Sequence, residues 1–170
     1  MARGALWAIG IVIFMTACVG RGVEPRKPKT PPEVTAPSGT QIPVLALAFE
    51  VSYDRETDGV IPYYRILNVG ITNNSLEILH LDPLGDQWWV VDRAGKRHHA
   101  IVNLRRTDPD RWANLPIGLK KLLEYPLLVP IGSTQPIDLL FADRINLNEF
   151  REVVFQSIGL DRIIRIYARE

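Results

Sequence analysis

Along most of the chain the apolar positions recur at every second residue. In VLALAFEVSYD, residues 44 to 54, Leu45, Leu47, Phe49, Val51 and Tyr53 fall on one face and Glu50 and Ser52 on the other. A period of two is the mark of a strand with one buried face. YYRILNVGITN, residues 63 to 73, repeats the pattern at Leu67, Val69 and Ile71 before Asn73-Asn74-Ser75 breaks it, and LEILHLD, residues 76 to 82, predicts a third strand. QWWVVD (87 to 92) and RHHAIVNL (97 to 104) flank the turn Asp92-Arg93-Ala94-Gly95-Lys96, in which Gly95 can supply the positive φ of a bulged hairpin. YPLLV (125 to 129), QPIDLLF (135 to 141), EVVFQSI (152 to 158) and RIIRIYA (162 to 168) continue the series. About seven to nine short strands with few helical patterns between them predict an all-β fold of two packed antiparallel sheets.

One stretch breaks the alternation. RRTDPDRWANLPIGLKKLLE, residues 105 to 124, offers Asp108 as a helix N-cap, Pro109 as the first helical residue and Asp110 in the first turn. A break at Pro116 to Gly118 follows, then a short helix around Leu119 to Glu124. This partly helical insertion is long for a strand connection, and connections of that length tend to carry function. Leu147 to Arg151 predicts one further helical turn, serving as a connector.

The first 43 residues follow another pattern. Arg3 precedes an apolar run, Ala5 to Ala17, of the length of a secretory signal and short for a membrane span. Val19 to Pro43 then holds Pro25, Pro28, Pro31, Pro32, Pro37 and Pro43 among charged and small polar residues, the composition of a disordered, extended linker. At the junction, Met15-Thr16-Ala17-Cys18 resembles the lipobox of bacterial lipoproteins, with small residues before the cysteine and Met15 departing from the preferred leucine. The resemblance implies a signal peptide over residues 1 to 17, cleavage before Cys18, lipidation of Cys18 and a tether over residues 18 to 43. Val19 is not the aspartate associated with inner-membrane retention, so the outer membrane, facing the periplasm, is the implied location. An uncleaved membrane anchor, or an ordinary secretory signal with an incidental cysteine, are the alternatives. Arg21, Arg26, Lys27 and Lys29 add attraction to anionic headgroups.

A second resemblance covers a little over half the chain, from Tyr64 to Phe155. Ile71-Thr72-Asn73-Asn74-Ser75, then Asp92-Arg93-Ala94-Gly95, then Val129-Pro130-Ile131-Gly132-Ser133 leading into Leu139-Leu140-Phe141, resemble the turn and core punctuation of an immunoglobulin-like domain of unknown function found in exported bacterial lipoproteins. It implies an immunoglobulin-like antiparallel β-sandwich over residues 44 to 170 and leaves function open. The insertion departs from the compact family pattern.

Composition narrows the functional classes. With 170 residues, 46% of them hydrophobic and 23% charged, the chain has material for one globular domain. A formal net charge of +1 with intermixed signs gives no basic face for a phosphate backbone, so nucleic acid is not an expected partner. One cysteine forms no intramolecular disulfide. Asp54, Glu56 and Asp58 with Gly59 copy the first half of a calcium loop, but Arg65 stands where the bidentate glutamate belongs, and an acidic hairpin tip is the simpler expectation. His98 and His99 alternate in direction on a strand, so at most one of them could join His80 at a metal, and no cofactor is expected. Trp88 and Trp89 likewise face opposite ways, one into the core and one partly exposed.

The better contact candidate is the insertion. Trp112 with Arg105, Arg106, Arg111, Lys120 and Lys121 combines residue types found at interface hot spots, the alternative being that Trp112 and Leu119 simply pack the insertion down. No nucleophile elbow, phosphate loop or zincin helix is present. The expectation is a membrane-anchored envelope lipoprotein with a non-enzymatic role in protein binding or assembly, its partners the membrane, through the lipid, and envelope proteins. Delivery of a small ligand or metal to an envelope transporter is the first alternative. The lipoprotein of a secretion-machine outer-membrane complex is the second.

Overall fold

A computed structural model describes residues 33–37, 41–42, 45–160 and 162–167. Met15 to Cys18, expected to form a lipobox, and the basic residues that follow lie outside them.

The period-two segments form the long strands. Leu47–Tyr53 (β3), Tyr64–Asn73 (β4) and Ser133–Ala142 (β9) pair antiparallel, with β3 and β9 on either side of β4, and Gln41–Ile42 (β2) adds to the far side of β3. The second sheet is built from Gln87–Asp92 (β6), Arg97–His99 (β7), Phe150–Ser157 (β10) and Arg162–Tyr167 (β11). Glu33–Pro37 (β1) completes it in the order β1-β11-β10-β6-β7. Leu79–His80 (β5) and Leu128–Val129 (β8) form a separate two-stranded ribbon.

Phe49, Leu67, Val69, Ile71, Ile137, Leu139 and Phe141 of one sheet meet Trp88, Val90, Val153, Phe155, Ile164 and Ile166 of the other in one buried cluster. The fold is therefore all-β and sandwich-like. Burial of each such side chain contributes about 1.5–3 kcal/mol. The Trp88 ring stacks on Phe155 with centroids 4.0 Å apart, which ties β6 to β10 at the centre of the core.

Four expectations change. Glu33–Pro37 pairs parallel with β11, Glu33 opposite Ile163 and Pro37 opposite Tyr167, so strands begin within the segment expected to be linker up to Pro43. Pairing at a sheet edge uses the backbone and needs no large apolar side chain, and proline is tolerated there. The strand expected over residues 76 to 82 contracts to Leu79–His80, because Asn73, fully buried, donates from its amide to the carbonyls of Glu77 and Val129 and accepts from Ser75, which folds residues 74 to 78 into a loop. The strand expected over residues 97 to 104 ends at His99, since Ile101 exchanges both backbone hydrogen bonds with Leu140 and so carries the chain to the other sheet. YPLLV keeps only Leu128–Val129 as strand.

The insertion is helical as expected but in three pieces, Leu104–Thr107 (α1), Pro109–Asn114 (α2) and Ile117–Leu122 (α3). Asp108 caps α2 by accepting from the Arg111 amide, with Pro109 in the first turn. Leu104, Leu115 and Leu123 pin the insertion against Ile61, Ile66 and Leu140 in a second apolar cluster on the outer face of the β4–β9 sheet.

Candidate functional site

The six residues proposed from sequence divide among different surroundings. Arg105, Arg106 and Lys121 are exposed. Lys120 donates from Nζ to the carbonyl of Ala113, bracing α3 against α2. Trp112 is half-buried in the second apolar cluster beside Leu119, so packing the insertion down is its observed role. Its edge still borders, with Arg105 and Tyr125, a cleft of about 180 Å³.

Arg111 is the member that meets other recognition chemistry. Its Nε donates to Asp108 Oδ2 at 2.9 Å, and the guanidinium carbon lies 4.6 Å from the centre of the Tyr63 ring and 5.8 Å from that of Tyr64. The Tyr64 hydroxyl reaches the same Asp108 oxygen at 3.3 Å. Hydrogen bonding from the Arg111 side chain, then from its amide, holds the Asp108 carboxyl below its ordinary range. Burial, with the Asp108 charge beside it, raises the Tyr64 phenol. Asp108 thus caps a helix, aligns a guanidinium and anchors a tyrosine. A cleft of about 420 Å³ opens beside this group, bordered by Pro62, Asp110 and Asn114.

Tyr63 is the residue that sequence reasoning missed. It stands 68% exposed at φ +70°, in a turn closed by the Tyr64 amide on the Ile61 carbonyl, and its own carbonyl accepts from the Asp143 amide. A tyrosine at left-handed φ costs on the order of 1–3 kcal/mol. That conformation places its ring under Arg111. The available signal was Pro62-Tyr63, with proline suited to the first central position of a turn.

On the other side of the insertion, a cleft of about 500 Å³ runs between α3 and β9, with Leu119, Lys121, Glu124, Asn68 and Asp138 on its walls. Burial raises the Asp138 carboxyl, against a hydrogen bond from Asn68 that lowers it.

Two of the three candidate metal ligands, Asp54 and Asp58, are engaged by protein groups. Asp54 caps a short 3-10 turn, Arg55–Thr57, by accepting from the Glu56 amide at 2.9 Å. Asp58 accepts from the Tyr53 hydroxyl at 2.7 Å and pairs with Arg65 Nε at 3.5 Å, so the arginine at the twelfth loop position neutralises the acidic tip. Among the described residues no group of three or more histidine, cysteine or acidic side chains is placed to hold a metal ion. His98 Nε2 lies 3.0 Å from Asp92 Oδ2, an interaction that lowers the Asp92 carboxyl, and His99 lies against Trp89. His80 sits apart on the β5–β8 ribbon.

The expected exposure of one tryptophan is corrected. Trp88 is in the core with its Nε1 donating to the Tyr125 hydroxyl at 2.9 Å, and Trp89 is buried too, with Val91 and Val154 on the opposite face of the sheet.

Comparison with family models, with curated proteins and with solved structures finds no match to the chain.

Proposed function

We propose that the chain is a lipid-anchored protein of the bacterial envelope, held at the outer membrane through Cys18, whose immunoglobulin-like sandwich serves as a non-enzymatic binding and assembly module. The lipobox resemblance of Met15 to Cys18 supports the anchor, and the facing antiparallel sheets with Trp88 at their centre support the immunoglobulin-like assignment. One observation carries the binding role: an exposed tyrosine, Tyr63, kept at a costly backbone conformation against Arg111 beside an open cleft. Backbone strain of this kind concentrates at functional sites, and tyrosine and arginine are enriched at interface hot spots. Of the perturbed acidic groups, Glu152, Asp92 and Asp108 pair with basic side chains within the fold, and Asp138 accepts from Asn68.

Two measurements test the two halves of this proposal. Fatty-acid labelling is expected for the native chain and lost in Cys18→Ser; equal labelling removes the anchor. Arg111→Ala and Tyr63→Ala are expected to abolish co-purification of envelope proteins that the native chain recovers, with Arg105→Ala having a smaller effect. Unchanged recovery in all three removes the insertion as the contact surface.

A further inference from the structure

A cleft of about 680 Å³ lies beside the loop that follows β4 and is lined by Leu45, Leu76, Ile78, Leu79 and Leu160. Around it the molecule exposes large aliphatic side chains, with Leu76 at 93%, Ile158 at 73% and Leu84 at 67%. These belong to one neighbourhood. His80 pairs with Leu128, itself exposed, in the β5–β8 ribbon, and the His80 carbonyl would lie 3.3 Å from a Cβ placed on Gly159. A Cβ on Gly85, next to Leu84, would meet the Ile158 side chain at 2.6 Å. Soluble monomers rarely expose a contiguous apolar patch without using it.

The residue types distinguish a membrane from a protein partner. Protein hot spots favour Trp, Tyr and Arg, with Leu under-represented, whereas this end is leucine and isoleucine. The path of the chain agrees. β1 runs parallel to β11 with Glu33 opposite Ile163, so β1 begins at the end of the sheet beside the turn that carries Ile158 and Leu160. The stretch back to Cys18 can reach at most roughly 50 Å, and it holds Arg21, Arg26, Lys27 and Lys29, which complement anionic headgroups.

We infer that this aliphatic end is a bilayer-contact surface, pressed against an anionic membrane by the short basic segment that follows Cys18. The inference rests on the lipid-anchored reading above and adds an orientation to it. Glu77 and His80, exposed among the apolar side chains, take up headgroup level. Tyr63 precedes the first residue of β4 and the loop from Asn74 to Ile78 follows its last, so a ten-residue strand separates them, roughly 30 Å at about 3.3 Å per residue. Docking by the aliphatic end therefore holds Tyr63 and Arg111 away from the bilayer, open to a partner.

The test uses the full chain reconstituted in vesicles of phosphatidylethanolamine and phosphatidylglycerol, with a photoreactive phenylalanine analogue at position 76, 158 or 63. Leu76, Ile158 and Tyr63 are all exposed, so the replacements leave the fold intact. Lipid adducts, read by mass, are expected at positions 76 and 158 at least tenfold above those at position 63. Equal adducts at all three positions, adducts to a second copy of the chain in place of lipid, or no adducts at all would overturn the surface. Acylation of Cys18 is measured on the same samples. Lipid adducts at positions 76 and 158 without acylation keep the surface and remove the anchor, and acylation without those adducts does the reverse.

Discussion

Single residues carry two kinds of investment here, one in strain and one in buried charge. Tyr63 illustrates the first. Glycine at its position releases a left-handed cost of about 1–3 kcal/mol and forfeits an exposed cation–π contact of about 0.5–1 kcal/mol. Glycine also adds about 0.5–1 kcal/mol of unfolded-state entropy. Tyr63→Gly is therefore expected to lie between about 1 kcal/mol less and about 2 kcal/mol more stable than the native chain in urea while losing the proposed partners, a separation that a residue kept only for stability would not show. Glu152 illustrates the second. Fully enclosed on β10, it accepts at Oε1 from both Arg151 and Arg165 at 2.8 Å. Burial pushes its carboxyl up, but the two arginine hydrogen bonds outweigh burial and hold it below its ordinary value of 4.5. A carboxyl lowered in the folded state stabilises above its unfolded pKa and loses that contribution as pH falls through the folded pKa. Glu152→Gln should thus cost about 1.5–3 kcal/mol at neutral pH. The gap to the native chain should close as urea titrations move to progressively lower pH below about 4.3.

At the scale of elements, legibility followed how much of a segment's chemistry was local. β4, β6, β9, β10 and β11 stand close to where the period-two pattern puts them, because each buries one face against the same core. The Asp92 to Lys96 turn and the Asp108-Pro109 helix start are equally local, and Gly95 takes its positive φ of 81° as the hairpin requires. Where the outcome depended on a distant partner, the pattern misled. Leu76 and Ile78 alternate like strand residues, yet Asn73 turns that segment outward by bonding to β8. In Glu33–Pro37 only Val34 and Ala36 alternate with polar residues, too short a run among prolines to read as a strand, and the segment joins the sheet through its backbone to β11. The candidate site drew on the expected residues only in part: Arg111 meets Tyr63 and Tyr64, Trp112 packs in the second apolar cluster, and Tyr63 comes from a turn at the start of β4. A further distant contact governs the end of the insertion, where the Tyr125 hydroxyl accepts from Trp88 Nε1 and donates to Asp86 Oδ2 at 3.0 Å. Burial, then the nearby Asp86, drives this phenol far above its ordinary value, so it stays a donor throughout the stable pH range. Tyr125→Phe would leave the buried Trp88 Nε1 without its acceptor, while Asp86 Oδ2 keeps the Asp82 amide. A loss of about 1–3 kcal/mol in urea melts, with an unchanged slope, is the expected result.

For the molecule as a whole, two apolar clusters of unequal size determine how it comes apart. The larger spans both sheets and includes Trp88, Phe155 and Ile164, so nothing in it can be lost without loosening β6, β10 and β11 together. The smaller joins Leu104, Leu115 and Leu123 of the insertion to Ile61, Ile66 and Leu140, and the strand residues in it remain held by their ladder when the helices lift away. Units of this kind open with separate free energies, the peripheral one at lower cost. Leu115→Ala removes a buried side chain from the smaller cluster at about 2–5 kcal/mol, a cost that falls on the local opening. Hydrogen exchange should then accelerate at the amides of residues 104 to 123 by two orders of magnitude or more. The amides of β4 and β10 should keep their protection. Phe155→Ala, at about 3–5 kcal/mol, should instead accelerate exchange across both sheets and the insertion alike. If Leu115→Ala deprotected β10 as strongly as α2, the insertion would be an integral part of the sandwich rather than a unit mounted on it. With the two units separable, the Tyr63 and Arg111 contact bridges them, since Tyr63 leads into β4 and Arg111 stands on α2. A partner seated on that contact would close the insertion onto the sheet, and its binding should slow exchange in α1 to α3 before it slows exchange anywhere in the core.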